Sequence, residues 1–134
     1  MKQNRLLWAC GDPGVKHGFR GVNVPINPWP SELEAIRNKL ERIFHIQTNF
    51  CLVNHYRNGN DSVAPHIDGD LYADRKAVFT LSLGTTRQMR LVSLKGKPDI
   101  TFDVAAGDLF LMWGTLQEEW KHGIDLQPHI QTPR

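Results

Sequence analysis

The sequence predicts a mostly β (α+β) fold in which one helix near the amino end packs on a β-sandwich or jelly roll. Apolar residues recur at helical spacing over about residues 31–45. After residue 50 they alternate with polar residues along several short segments, which glycine, proline and aspartate separate. One amphipathic helix followed by many short strands with turns between them is typical of this architecture.

Composition fits a single domain over residues 1–134. A chain of 134 residues is long enough for one core and too short for two. With 16 basic and 14 acidic residues the net charge is +2, so a nucleic-acid partner is permitted but not required. No apolar run approaches the ~20 residues of a membrane span, and residues 1–5 lack the apolar region of a signal peptide. We therefore expect a protein of the cytoplasm or nucleus.

The amino-terminal part contains the one predicted helix. Residues 1–30 are rich in turn formers and are expected to be irregular. Ser31 and Glu34 match a capping box, which predicts Ser31 as the N-cap of a helix over about 31–45. One face of this helix is expected to be buried through its apolar residues Leu33, Ile36, Leu40, Ile43 and Phe44.

The remainder of the chain reads as strands. Alternation of apolar and polar residues, or a short apolar run, predicts strands at 50–56, 77–83, 100–104, 109–113 and 120–124. Cys10 and Cys51 have no metal-type spacing and are expected to be buried thiols.

A histidine and a carboxylate stand two residues apart at His66 and Asp68. On an extended backbone both side chains point to one face, with Ile67 packed on the other. His122, in the predicted late strand, is the best candidate for a third ligand. Two histidines and one carboxylate form the facial triad that suits non-haem Fe(II) with open positions. The same three ligands would also serve a zinc hydrolase.

Six short motifs follow one another along the chain: Asn54-x-Tyr56, His66-x-Asp68-x-Asp70, Ser82-Leu83-Gly84-x-x-Arg87, Gly107-Asp108-Leu109-x-x-Met112, Trp120-x-His122 and Pro133-Arg134. In this order they resemble the AlkB family. That family comprises Fe(II)- and 2-oxoglutarate-dependent dioxygenases that act on alkylated nucleic-acid bases. The likeness extends from about residue 8 to 134, and it is specific as an ordered set.

The resemblance implies a double-stranded β-helix (jelly roll) and a cofactor site. Its iron ligands are His66, Asp68 and His122, which leave room for 2-oxoglutarate and O2. Asn54, Tyr56 and Arg134 are expected to bind 2-oxoglutarate. A guanidinium fork and a phenol hydroxyl are suitable donors to a dianionic co-substrate.

The resemblance also implies a substrate site. Asp70 is expected to contact the exocyclic nitrogen of a base, and Phe19 to stack on the extruded base opposite His66. His17 and Asp12 are expected to line the pocket. The implied reaction is oxidative demethylation of 1-methyladenine or 3-methylcytosine in DNA or RNA, releasing formaldehyde, succinate and CO2. Single strands and a monomeric enzyme are expected.

The carboxyl end departs from the family pattern. Two arginines separated by five residues are usual there, and Arg134 matches the first, whereas the second would fall beyond the last residue. A chain truncated after Arg134 is one interpretation. A catalytically impaired relative that binds nucleic acid is another, and a 2-oxoglutarate hydroxylase of proteins or small molecules is a third.

Overall fold

The computed structural model describes residues 4–16, 18–19, 22–69 and 77–134. The chain consists of two compact units. One is made of Met1–Leu6 and His55–Arg134, and the other of Leu7–Asn54. Within the described residues no helix is long and apolar enough to cross a membrane. The predicted mostly β fold is confirmed.

The unit of Leu7–Asn54 is built on a three-stranded sheet. Its elements are β1 (Leu6–Gly11), β2 (Gly18–Phe19), β3 (Val22–Asn23), β4 (Ile26–Asn27), α1 (Ser31–Phe44) and β5 (Phe50–His55). The sheet has the order β4-β1-β5, and β1 pairs in parallel with β4. The expectation that residues 1–30 are irregular is therefore wrong for β1. Its continuous apolar run gives no alternation because it lies in the middle of the sheet, where Ala9 and Cys10 are fully buried.

The predicted helix is present, but its amino end and its buried face differ from expectation. Pro30 is the N-cap, and the Ser31 hydroxyl donates to Glu32 at 3.0 Å, so the capping box does not form. No residue of α1 is fully buried, and Ile36 and Ile43 are 37% and 55% exposed. Arg37 is half-buried instead, because its guanidinium reaches a carboxylate outside the helix.

The unit of His55–Arg134 contains two antiparallel sheets. Its elements are β6 (Val63–His66), β7 (Val78–Leu81), β8 (Arg87–Ser93), β9 (Ile100–Val104), β10 (Leu109–Met112), α2 (Leu116–Glu119) and β11 (Trp120–Ile124). One sheet has the order β6-β11-β8-β9, and the other pairs β10 with β7. Two sheets of antiparallel strands are consistent with the predicted jelly roll.

The core of this unit joins its two sheets. Side chains from β6, β8, β9 and β11 form one buried cluster with Tyr56, and Phe110 of β10 packs against it. The rings of Phe102 and Phe110 lie 5.3 Å apart between centroids, a favourable tilted pair. The carboxyl-terminal stretch closes the cluster, since Tyr56 and Arg134 exchange two backbone hydrogen bonds of 2.8 Å.

Candidate metal centre

Two histidines face each other across a pair of strands. His66 ends β6, and His122 lies directly opposite it in the antiparallel partner β11. Directly opposed residues place their side chains on one face of the sheet. The two imidazole rings are accordingly 4.4 Å apart between centroids. Strand pairing alone therefore brings together two of the three predicted ligands.

Asp68 completes the cluster from beyond the end of β6. Its Oδ1 lies 3.2 Å from Nε2 of His66, and its Oδ2 lies 3.6 Å from Nε2 of His122. All three ligand atoms fall within 4.8 Å of one another, so the three residues form a possible metal site. The interpretation of Ile67 as packed on the opposite face is wrong. Its side chain is 44% exposed because the strand ends one residue earlier.

Hydrogen bonding and burial bear on how the two imidazoles could act as ligands. Nδ1 of His66 lies 2.9 Å from the Ala64 carbonyl oxygen, which can only accept, so the Nδ1–H points at that carbonyl and Nε2 is the nitrogen that faces Asp68. Burial lowers the pKa of His122 to about 4, with Asp68 opposing the shift and His66 adding to it. His122 is therefore neutral at neutral pH. Two imidazoles beside one carboxylate fit a divalent metal such as Fe(II).

A glycine lets the two metal-site strands approach closely. A Cβ at Gly123 would lie 2.8 Å from both the Pro65 nitrogen and the Val63 carbonyl oxygen of β6. The register also shifts between His122 and Ile124, where the ladder to β6 is irregular. A glycine within a strand is a known sign of close backbone approach, so Gly123 could have been noticed in the sequence.

Tyr56 and Arg134 lie side by side. Besides their paired backbones, the Arg134 guanidinium donates to the Ser82 hydroxyl at 2.9 Å. Burial raises the pKa of Tyr56, and the surrounding arginines only partly oppose the shift. Burial also lowers the pKa of Arg134, with Tyr56 opposing. A buried phenol and a half-buried guanidinium thus lie together, and their role toward 2-oxoglutarate stays a prediction.

Of four other predicted site residues, two lie in the unit of Leu7–Asn54 and two fall outside the residues that the structure describes. Asn54 is in β5, in the unit of Leu7–Asn54. Phe19 lies in β2 of that unit, and its side chain is not among those described. His17 and Asp70 fall outside the described residues. Their substrate and co-substrate roles stay predictions.

Asp12 is engaged within its own unit. Its carboxylate accepts hydrogen bonds from Arg37 at 2.7 Å and from the Trp29 indole at 2.8 Å. These contacts tie the turn after β1 to helix α1. They account for Asp12 structurally, and its predicted contact with substrate stays a prediction.

Two polar residues take roles that the sequence did not predict. Arg87, which closes the motif Ser82-Leu83-Gly84-x-x-Arg87, is fully buried and donates to carbonyl and amide oxygens. Gln117 accepts a hydrogen bond from the backbone N–H of Asp68 at 2.8 Å. No local pattern marks Gln117, since the contact joins residues far apart in the chain.

Comparison with known proteins agrees with this geometry. The sequence profile of the 2OG-Fe(II) oxygenase superfamily matches residues 5–133. DNA oxidative demethylase ALKBH2 of Mus musculus is 29% identical over 133 residues, a match covering 92% of this chain and 56% of the mouse protein. The Homo sapiens ALKBH2 is 26% identical, with 92% of this chain and 51% of the human protein covered.

The chain spans about half the length of the curated relatives it matches. The name of the superfamily states its metal, Fe(II), and its co-substrate, 2-oxoglutarate (2OG). The His66, Asp68 and His122 donor set fits such an ion. The profile match over residues 5–133 shows that the chain belongs to the 2OG-Fe(II) oxygenase superfamily, and the ALKBH2 proteins are relatives that it resembles within it.

Proposed function

We propose that this protein uses Fe(II), 2-oxoglutarate and O2 to demethylate N-methylated bases oxidatively in DNA or RNA. The substrates would be 1-methyladenine and 3-methylcytosine. The observation that carries the proposal is the convergence of His66, Asp68 and His122 within 4.8 Å in a chain of this superfamily. The name of the ALKBH2 relatives, DNA oxidative demethylase, supports the choice of nucleic acid as substrate.

Bound Fe(II), 2-oxoglutarate and O2 would supply the oxidising chemistry, which hydroxylates the methyl carbon of the base and yields succinate and CO2. The N-hydroxymethyl product would then break its nitrogen–carbon bond, with the hydroxyl proton going to the base nitrogen, and so release formaldehyde and the unmodified base. The His66 and His122 imidazoles and the Asp68 carboxylate would hold the metal.

Arg134 and Tyr56 are proposed to hold the distal carboxylate of 2-oxoglutarate. A carboxylate entering a half-buried site needs donors that offset its lost hydration. A guanidinium supplies parallel N–H donors, and the Tyr56 phenol, kept protonated by burial, adds an O–H donor. Asn54 is proposed as a further donor to the same co-substrate.

The extruded base is proposed to stack between Phe19 and the His66 imidazole. Asp70 would accept a hydrogen bond from the exocyclic nitrogen of adenine or cytosine. His17 and Asp12 would line the same pocket. Holding the methyl group close to the reacting centre is the main contribution of these residues, because orientation lowers the barrier of an otherwise bimolecular step.

We further propose a monomer that prefers single-stranded substrate. An unpaired base can be extruded at lower cost than a paired one, which favours single strands for a small domain. A nucleic-acid substrate also means that the enzyme works in the cytoplasm or nucleus, where DNA and RNA are found.

The experiment is an anaerobic titration of the protein with Fe(II) and 2-oxoglutarate, followed by admission of O2 with a methylated oligonucleotide. A visible charge-transfer band is expected in the first step, and formaldehyde release in the second. Single-stranded and duplex oligonucleotides carrying the same lesion test the strand preference.

The matched controls are Asp68→Ala and Asp99→Ala. The first removes a proposed ligand and should abolish the band, whereas the second removes a surface carboxylate and should leave it unchanged. A band with no formaldehyde from either lesion would leave a 2-oxoglutarate oxygenase with another substrate. No band in the unaltered protein would reject the proposed co-substrate.

A further inference from the structure

Asp68 lies where strand pairing no longer fixes the backbone. β6 ends at His66, and its ladder to β11 has His66 and His122 as opposed residues. Both histidines are therefore held by the sheet. Asp68 follows two residues later, outside any strand, so its carboxylate needs another restraint. The orientation of a metal ligand usually depends on such a restraint.

The side chain of Gln117 supplies that restraint. Its Oε1 accepts the backbone N–H of Asp68 at 2.8 Å, and the Gln117 side chain is nearly buried, with 9% exposure. A backbone N–H can only donate, so the amide oxygen and not the amide nitrogen must face Asp68. The contact is thus defined chemically, not only by distance.

Gln117 also belongs to the segment that delivers His122. It lies in the short helix α2 (Leu116–Glu119), which leads directly into β11 at Trp120. The backbone N–H of Trp120 donates to the Leu116 carbonyl, which joins the helix to the strand. One amide side chain therefore connects the backbone of Asp68 to the chain segment of His122.

We propose that Gln117 is a positioning residue of the metal centre, which holds the Asp68 carboxylate in reach of both imidazoles. This inference rests on the proposed function, since it takes His66, Asp68 and His122 as metal ligands. Without the Gln117 acceptor, the Asp68 backbone N–H would lose its hydrogen bond to α2, and we expect the carboxylate to be held less firmly between the two imidazoles. Outer partners of metal ligands typically contribute about 10–100-fold to metal affinity. Because this contact acts through the backbone, we expect a loss of about tenfold, at the low end of that range.

The test is a titration of the full chain with Co²⁺ alone under anaerobic conditions, read from the visible ligand-field bands. Gln117→Leu removes the acceptor, and Gln117→Asn keeps the amide but shortens its reach by one methylene. Both variants should bind Co²⁺ about tenfold more weakly than the unaltered protein, with altered band intensity. Gln117→Glu retains an oxygen acceptor at the same reach and should bind at least as tightly as the unaltered protein.

The matched control is Gln88→Leu, the same substitution at an exposed position of β8. It should leave the Co²⁺ Kd unchanged. The Tm of each metal-free variant is measured in parallel, since a merely structural glutamine would lower that Tm without moving the Kd or the bands. Should Gln117→Leu fail to fold, the Co²⁺ Kd of Gln117→Asn is compared with that of Gln117→Glu. Equal Kd values for these two variants would overturn the positioning role.

Two negative outcomes are distinguishable. If the unaltered protein binds Co²⁺ and Gln117→Leu and Gln117→Asn bind it within twofold of the same Kd, the positioning role is overturned and the metal centre remains. If the unaltered protein does not bind Co²⁺ at all, the metal centre is rejected and the role of Gln117 with it.

Discussion

Replacement of Arg87 by methionine tests how the unit of His55–Arg134 is held together. The Arg87 side chain is 1% exposed and donates to four oxygens. These are the carbonyls of Asn58 at 3.1 Å, Asp61 at 2.9 Å and Asp125 at 2.7 Å, and Oε1 of Gln127 at 3.0 Å. Two of the acceptors precede β6 and two follow β11, so one guanidinium joins the stretches that flank both metal-site strands.

The expected loss follows from these contacts. Without Arg87, the Asn58 carbonyl still accepts from the backbone N–H of Asp61 at 3.2 Å, and Gln127 Oε1 still accepts from the backbone N–H of Gln88 at 2.9 Å. The main cost of the substitution therefore falls on the carbonyls of Asp61 and Asp125. Hydrogen bonds to a charged donor contribute about 1.5–3 kcal/mol each, which gives about 3–6 kcal/mol for two. Burial lowers the pKa of the guanidinium, so removing the charge recovers part of that cost. We expect a net loss of about 2–4 kcal/mol, or about 6–15 °C in Tm for a chain of this size.

Urea unfolding followed by tryptophan fluorescence measures this loss. Arg90→Met is the matched control, because Arg90 lies in the same strand but forms half-exposed ion pairs with Asp99 and Asp125. Such pairs contribute at most about 1 kcal/mol. Arg87→Lys keeps the charge without the fork and should be no more stable than Arg87→Met. If the two methionine variants lost the same free energy within about 0.5 kcal/mol, the bridging role of Arg87 would be refuted.

Three further predictions concern the strand contact, an ion pair and a thiol. Gly123→Ala should lower the free energy of unfolding in urea by about 1–3 kcal/mol and weaken Co²⁺ binding, because the added Cβ would overlap the backbone of β6. An unchanged free energy of unfolding and an unchanged Co²⁺ Kd would mean that the two strands separate without cost. The hydrogen bond from Arg57 lowers the pKa of the buried Asp61. The ionised Asp61 therefore stabilises the folded protein at pH values above the ordinary aspartate pKa, and this stabilisation is lost as the pH falls and Asp61 becomes protonated. The Tm difference from Asp61→Asn should therefore be largest near neutral pH and shrink below about pH 4, and a constant difference would contradict the pairing. Cys51 is half-buried rather than buried as expected, and burial raises its pKa to about 11. Iodoacetamide should therefore modify it about 100-fold more slowly than an ordinary thiol at pH 8, and rapid labelling of the folded protein would contradict the raised pKa.

The extent of sequence-based prediction differs between the two units. Alternation or a short apolar run predicted β7, β9, β10 and β11 of the His55–Arg134 unit. β6 and β8 are not among the predicted strands, and in β8 the buried Arg87 stands on the same face as the buried Met89 and Leu91. A charged residue on the apolar face breaks the pattern that alternation relies on. In the other unit β1 was missed because its apolar residues follow one another without alternation, and the consecutive residues Ala9 and Cys10 are both fully buried.

The candidate site shows a similar division. The order of the motifs predicted that His66, Asp68 and His122 meet, since a paired late strand is what a jelly roll places beside an early one. Sequence spacing could not predict how Asp68 is held, because its hydrogen bond to Gln117 depends on tertiary structure. The capping box failed for a comparable reason. Pro30 takes the N-cap position, and a local motif cannot tell which of two neighbouring residues does so.

The three ligand side chains are restrained in two different ways. The separation of His66 and His122 is set by backbone pairing, which changes only if the sheet opens. Asp68 lies outside any strand, where its backbone N–H donates to Gln117 Oε1 at 2.8 Å and its carboxylate faces both imidazoles. Gln117 is therefore the residue at which the placement of the carboxylate can be varied while the strand pairing of the two imidazoles is kept.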